Sequence, residues 1–354
     1  MGTFQSAFQQ AAARHQIPAA VAIVATATQT LQTAAHGPVD EDTLFAIASM
    51  TKAITTTAAL QLVERGALPL DEPVMDNLPI LEGFDPANAP IFSTRLHSVT
   101  LRQLLSHTAG FAYPWNHPLV QRYGPLDRPF LVHAPGTRWH YGTSVDHVGA
   151  LIEKASGLTL EDYFQQHIFQ PLGMGDTSFL LPPAKLPRLA QNHQRDFTGV
   201  LRPLPRVQPP APAFFNGGGG LFSTARDYIR FAQMILAKGQ PILSESSVAA
   251  MSVNQTAALP AGRIPSIMPE RSAPVDLHPG ASDHFGLGFQ INPEPYRGGR
   301  AAGSLAWGGI RNTFYWIDPA SGIAAVLLMQ FQPFCDPAAM GMLYDLERLV
   351  YKSL

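Results

Sequence analysis

The sequence predicts an α/β domain joined to an all-α domain: an antiparallel sheet flanked by helices, with a helical domain inserted between its strands. Three observations carry this reading. Short runs of strand character stand at both ends of the chain, "AAVAIVAT" and "TLQTAA" early, "FGLGFQI", "GSLAWGG", "NTFYWID" and "GIAAVLLMQ" late. Between them, from about residue 75 to 225, helical periodicity takes over, broken by long Pro/Gly loops. No internal repeat is apparent. Residues 1–75 and 225–354 are therefore expected to form the α/β domain, 76–224 the helical domain, and the cleft between them the active site.

In chain order, a helix over about 3–15 opens at Thr3, whose hydroxyl can accept from a first-turn N–H. The two early strands can close as a hairpin. A helix read as amphipathic and beginning at Ser49 carries Ile54, Ala58, Leu60, Leu62 and Val63, and stops at Gly66. "TLRQLLSH" opens with the Thr100/Gln103 pair of a capping box, its end marked by His107. Helices follow at 144–157, ended by Gly157, and at 159–169. Residues 181–215 are proline-rich and read as an extended surface excursion. After a helix at 223–241, the proline-dense loop 255–282 is long enough to be a lid, a binding rim or a disordered segment. A last helix, "AAMGMLYDLERLVY", follows the late strands.

At 354 residues, 46% hydrophobic and 14% charged, the chain can bury a substantial core. A net charge of −2 with no basic run argues against nucleic acid or an anionic membrane as partner. The longest apolar run, "IAAVLLM", falls far short of the roughly 18–20 residues that cross a bilayer. The first residues show no basic-then-apolar leader, so the expected location is cytoplasmic. They match the M-G-x-x-x-S myristoylation pattern, but a Thr3-capped helix accounts for the same residues without a lipid. Cys335 is the only cysteine, which excludes an intrachain disulfide and fits a reducing compartment. It is read as a bystander thiol in a loop.

Chemistry concentrates in three stretches. In "FAIASMTKAITTTAALQLVERG", Ser49 precedes Lys52 by three residues, which places hydroxyl and amine on one helix face. The free N–H groups of a first helical turn would favour an alkoxide and the oxyanion that follows it. This is the only S-x-x-K in a chain with five lysines, and apolar "LFAIA" leads straight into it. In "RWHYGTSVDHVGALIE", Tyr141 stands on a loop just before a helix, as a packing ring or as a proton carrier beside an ammonium. In "GSLAWGGIRNTFYWID", paired glycines sit inside a strand-like run. They mark either a bulge or a strand edge that another backbone or a ligand approaches closely.

In this order and at these intervals, the S-x-x-K, the tyrosine and the glycine strand resemble the serine β-lactamase and penicillin-binding-protein superfamily. Within it the chain is most similar to class C β-lactamases and to family VIII carboxylesterases. "LLSHTAGF", "PLGMGDTSF" and "GGGGLFSTARDYIRFAQMIL" add to a likeness that spans roughly residues 5 to 350. The resemblance implies that Ser49 attacks an ester carbonyl, that Lys52 accepts or holds its proton, and that Tyr141 serves the leaving alcohol and then the water. It implies an oxyanion held by the backbone N–H groups of Ser49 and Ile310, a substrate against Trp307, Gly308 and Gly309, and no metal or organic cofactor.

The departures narrow the activity. Trp307-Gly308-Gly309 stands where the relatives carry K-T-G, so no ammonium awaits a β-lactam carboxylate. Thr143 replaces the asparagine of Y-x-N. Hydrolysis of small esters is the expected activity. Acyl transfer to another alcohol, or β-lactam or peptide hydrolysis, are the alternatives on the same scaffold, and a non-catalytic binding protein is the remote one. There is no G-x-S-x-G elbow and no H-E-x-x-H; "NGGGGL" lacks the Lys-Ser/Thr of a phosphate loop and is read as close backbone packing near the site. His133, His140 and His147 are read as structural or surface histidines.

Overall fold

The computed structural model describes residues 3–124 and 128–352. The myristoylation pattern rests on Met1 and Gly2, which lie outside the described residues. Helix α1 (Phe4–Arg14) is capped by the Thr3 hydroxyl, which accepts from the Ser6 N–H at 3.2 Å. Strands β1 (Ala20–Ala25) and β2 (Thr30–His36) follow as a hairpin. Helices α2 (Thr51–Glu64), α3 (Leu101–Leu105), α4 (Ser144–Ser156) and α5 (Ala225–Leu236) fill the middle. The chain ends with β3 (His284–Phe285), β4 (Gln290–Ile291), β5 (Leu305–Gly309), β6 (Thr313–Asp318), β7 (Ile323–Leu328) and helix α6 (Pro337–Lys352).

These strands form one seven-stranded antiparallel sheet in the order β3-β4-β5-β6-β7-β1-β2. The two ends of the chain meet where β1 pairs β7, from Val21 opposite Leu328 to Ala25 opposite Ala324. Strands β1, β6 and β7 are buried at every residue because both faces of the sheet are covered. Successive side chains of β6 show the two faces. Tyr315 packs on Tyr228 of α5, ring centroids 5.1 Å apart, while the Trp316 indole N–H donates to the Tyr351 hydroxyl of α6 at 3.2 Å.

Two elements differ from the sequence reading. "FGLGFQI" is two short strands, β3 and β4, because Gly288 turns the chain with φ +81°; a Cβ there would lie 2.4 Å from Thr56 Oγ1 of α2. The helix expected at Ser49 begins at Thr51, and Ser49 rides on a preceding 3₁₀ turn, Ala48–Met50. Helix α2 is not amphipathic: every residue from Thr51 to Leu62 is buried. Several of its polar side chains are paired internally, Thr55 Oγ1 to the Gly217 carbonyl at 2.6 Å, Thr57 Oγ1 to Ala53 O at 3.0 Å, the Gln61 amide N–H₂ to the His167 and Ile242 carbonyls, while the Thr56 hydroxyl is buried without a partner among the described residues.

The segment assigned to helices is not uniformly helical. Two small antiparallel pairs occupy its start, Pro73–Leu78 with His97–Thr100 and Leu81–Phe84 with Pro90–Phe92. The second closes on a tight turn in which Asn88, at φ +68°, donates its N–H to Asp85 O. The capping box at Thr100/Gln103 is present. Buried apolar side chains of the sheet and of the segment 76–224 join in one core. Among the described residues, no helix is long and apolar enough to cross a membrane.

One buried ion pair ties α6 to the loop before β5. Arg300 donates to both Glu347 oxygens, at 3.0 and 2.9 Å, and its backbone N–H to the same carboxylate at 2.9 Å. Burial raises the Glu347 carboxyl, but the charge of Arg300 and hydrogen bonds from His278 and Arg300 hold it well below its ordinary 4.5. The stabilisation is thus present above that ordinary value and lost as pH falls through the lowered one. Glu347→Gln strands the guanidinium and is expected to cost about 3–5 kcal/mol in denaturant unfolding at neutral pH.

Candidate active site

The turn carrying Ser49 is set from three sides. The Ile47 N–H donates to Leu221 O at 3.0 Å, the Tyr228 hydroxyl to Met50 O at 2.9 Å, and the Thr313 hydroxyl to Ile47 O at 3.2 Å. Ala48 takes a left-handed φ of +47°, costly for a residue with a Cβ, and so swings the chain sharply just before Ser49. The next turn begins α2 and presents Lys52, whose side chain is only 1% exposed.

The lysine amine gathers the site. Lys52 Nζ lies 3.3 Å from Ser49 Oγ, 3.0 Å from Tyr113 Oη and 2.5 Å from the Gly218 carbonyl. It also stands 5.0 Å from the ring centroid of Tyr141 and 5.4 Å from that of Tyr113. The Tyr141 hydroxyl accepts from the indole N–H of Trp307 at 3.3 Å. Two tyrosines therefore flank the lysine: Tyr141 lends its ring, Tyr113 its oxygen.

Tyr113 is the residue that sequence reasoning missed. It lies 61 residues from Lys52, two past the quoted "LLSHTAGF", and no spacing rule connects them. Its phenol is pushed well above 10 by burial first, then by the charges of Asp146 and Tyr141.

The glycines make the close approaches that the site needs. A Cβ on Gly309 would lie 2.3 Å from Ile47 O and 2.4 Å from Thr313 Oγ1, so the end of β5 abuts the turn that carries Ser49. A Cβ on Gly308 would strike the Phe314 ring at 2.8 Å. The W-G-G run is thus a close-approach strand edge rather than a bulge. Gly309→Ala is expected to destabilise by about 1–3 kcal/mol and, by displacing the Ser49 turn, to cut kcat/KM about 100-fold; unfolding and ester kinetics on one preparation read both. "NGGGGL" also packs closely, Gly217 against Val145 O and Gly220 against the Phe179 ring.

A cavity of about 260 Å³ opens over Ser49, walled by Trp115, Met268 and Phe334 and floored by Gly308, Ile310 and both tyrosines. Met268 and Arg271 bring the loop 255–282 to its rim. Ser49 and Ile310 both line the cavity. Trp307 does not line it. Trp307 is 3% exposed, packed on Tyr141 and edge-on to Phe285 at 5.4 Å.

The histidines serve packing. His107 follows α3 at φ +57°, its ring fully buried 4.8 Å from that of Tyr141. Burial, and then the nearby Lys52, push it well below 6.5, so it is neutral. Burial likewise pushes His140 and His147 down to about 4, and His133 down as well. Among the described residues, no group of three His, Cys, Asp or Glu side chains is placed to hold a metal ion.

Comparison with known proteins identifies the family. The sequence matches the beta-lactamase family over residues 4–346. It is 32% identical over 401 aligned residues to monacolin J acid methylbutanoyltransferase of Aspergillus terreus, across 98% of this chain and 94% of that protein. Lovastatin esterase of Penicillium rubens shares 28% identity across 86% of this chain and 84% of its own. Among solved structures, the LovD6 mutant of simvastatin synthase from Aspergillus terreus superposes with a TM-score of 0.86 at 31% identity, covering 99% of this chain and 96% of that one. The chain belongs to the beta-lactamase family and is an enzyme of its serine hydrolase and acyltransferase kind.

Proposed function

We propose that the protein transfers a small acyl group from an ester donor to an alcohol through an acyl-enzyme on Ser49, with hydrolysis by water as the competing outcome. The motifs alone favour hydrolysis. The relatives named as acyltransferases tip the balance to transfer, while the named esterase keeps hydrolysis in play. The observation that carries the reading is the placement of Ser49 Oγ 3.3 Å from Lys52 Nζ at the base of an apolar cavity.

In the proposed sequence Lys52 takes the Ser49 proton as Oγ adds to the carbonyl, and the N–H groups of Ser49 and Ile310 hold the oxyanion. Tyr141 passes a proton to the departing alcohol, which leaves as the acyl-enzyme forms. An incoming alcohol gives up its proton by the reverse route and carries the acyl group away. The apolar walls favour an alcohol with hydrocarbon bulk over water.

Product partition tests this. With p-nitrophenyl butyrate and rising concentrations of a short alcohol, the new butyrate ester should grow at the expense of free butyrate. Free butyrate as the sole product at every alcohol concentration would return the protein to the hydrolases.

The same site should handle β-lactams poorly. A penicillin brings a carboxylate that must leave water; at the K-T-G place a buried indole replaces the ammonium, and Arg271 offers a cation only at the cavity rim. A charge buried beside Ser49 without a partner costs several kcal/mol, so kcat/KM for benzylpenicillin is expected to fall about 100- to 1000-fold below that for the best ester. Equal values would overturn the selectivity argument.

A further inference from the structure

The reaction as described leaves unused an acid that stands close to the lysine, half-buried Asp146. Asp146, in the first turn of α4, sits with its carboxylate against the Gly218 α-carbon, where a Cβ would come 2.5 Å from Oδ2. The same Oδ2 accepts from the Tyr113 hydroxyl at 3.5 Å. Two of the three groups that hold the Lys52 amine, Tyr113 Oη and Gly218 O, therefore belong to residues in contact with Asp146.

We propose that Asp146 is a positioning residue that sets the direction of the hydrogen bonds around Lys52, so that the amine's lone pair faces Ser49. This rests on Lys52 being the base for Ser49. A neutral amine has two N–H donors and one lone pair. The Gly218 carbonyl can only accept, so it takes one N–H. The lone pair reaches Ser49 Oγ only if the second N–H goes to Tyr113 Oη, and Tyr113 must then send its own proton elsewhere. An ionised Asp146 can only accept and supplies that destination. Reverse this last bond, and the phenol proton points at Lys52 and occupies the lone pair that Ser49 needs.

The surroundings agree. Burial holds the Asp146 carboxyl above its ordinary value, and Lys52, Asn216 and Tyr113, each favouring the charged form, offset part of that rise. Tyr113 stays a phenol at neutral pH, as a donor to Asp146 must. Lys52 is faced by Tyr113, Tyr141 and Asp146 and by the neutral ring of His107, so Asp146 is the carboxylate that answers an ammonium there.

Asp146→Asn keeps the size but adds an N–H₂ that donates to Tyr113 and reverses the chain. Expected for p-nitrophenyl butyrate are a fall in kcat of about 100-fold, KM within about threefold, and an acidic limb of kcat/KM displaced to lower pH, since the ammonium has lost its counter-charge. In a Tyr113→Phe background the same change should cost less than threefold, because the relay is already gone. If Asp146→Asn does not fold, Asp146→Ser, equally uncharged, is read by the same profile. An unshifted acidic limb, or losses that multiply with those of Tyr113→Phe, would reduce Asp146 to packing and overturn the proposal. Loss of Ser49 labelling in the wild type would instead overturn the acyl-enzyme reading itself, so the two failures are distinguishable.

Discussion

Ser49→Ala lowers kcat for p-nitrophenyl butyrate by four orders of magnitude or more, to the background of uncatalysed hydrolysis. The cavity offers a carbonyl three hydroxyls: Ser49, Tyr113 and Tyr141. Tyr113 is held as an un-ionised phenol by burial and Asp146, and Tyr141 is tied to the Trp307 N–H. Ser49 alone of the three is an alcohol, and its hydroxyl lies 3.3 Å from the lysine amine. Removal of a nucleophile from such a unit typically costs about 10⁴- to 10⁶-fold. The substitution removes one side-chain hydrogen bond at 3.3 Å, so the fold should persist. Activity above about one per cent of wild type, with carry-over excluded, would require a different nucleophile.

Lys52→Ala should be nearly as severe, with kcat down by about 10³- to 10⁴-fold. Among the described residues the amine is the one group that hydrogen-bonds Ser49 Oγ, and it also bonds Tyr113 and lies over Tyr141. Its loss disconnects all three at once. Tyr141→Phe on top of Lys52→Ala should therefore cost little more than Lys52→Ala alone, because groups acting as a unit are not additive. Losses that multiply would show Tyr141 working independently of the lysine. Acylation and deacylation should be measured separately by rapid quench, since Tyr141 is proposed to serve both.

The sheet was legible where burial leaves no choice. Strands β6 and β7 are covered on both faces and read as nearly continuous apolar runs. Helix α2 misled for the opposite reason. Thr51, Thr55, Thr56 and Thr57 look like a polar face, yet all are buried, and Thr55 and Thr57 spend their hydroxyls on carbonyls that only the folded chain brings near. The Ser49/Lys52 pair was legible because helical spacing alone fixes it. Tyr113 and Asp146 were not, since topology rather than spacing brings them to the lysine. The glycines of W-G-G were ambiguous in sequence because a bulge and a close approach ask for the same residue. The proximity of Ile47 O to Gly309 decides between them. Trp307 stood at the right place in the chain, but its burial behind Tyr141 depends on Phe285, far from any motif.

The central claim is that one acyl-enzyme on Ser49 feeds both water and alcohol. Rapid-quench mass spectrometry of wild-type protein mixed with p-nitrophenyl butyrate tests it most directly. The expected result is a butyryl adduct confined to the peptide containing Ser49, formed as p-nitrophenol is released and decaying faster when a short alcohol is added. An adduct on any other residue, or decay indifferent to alcohol while the new ester still forms, would contradict it.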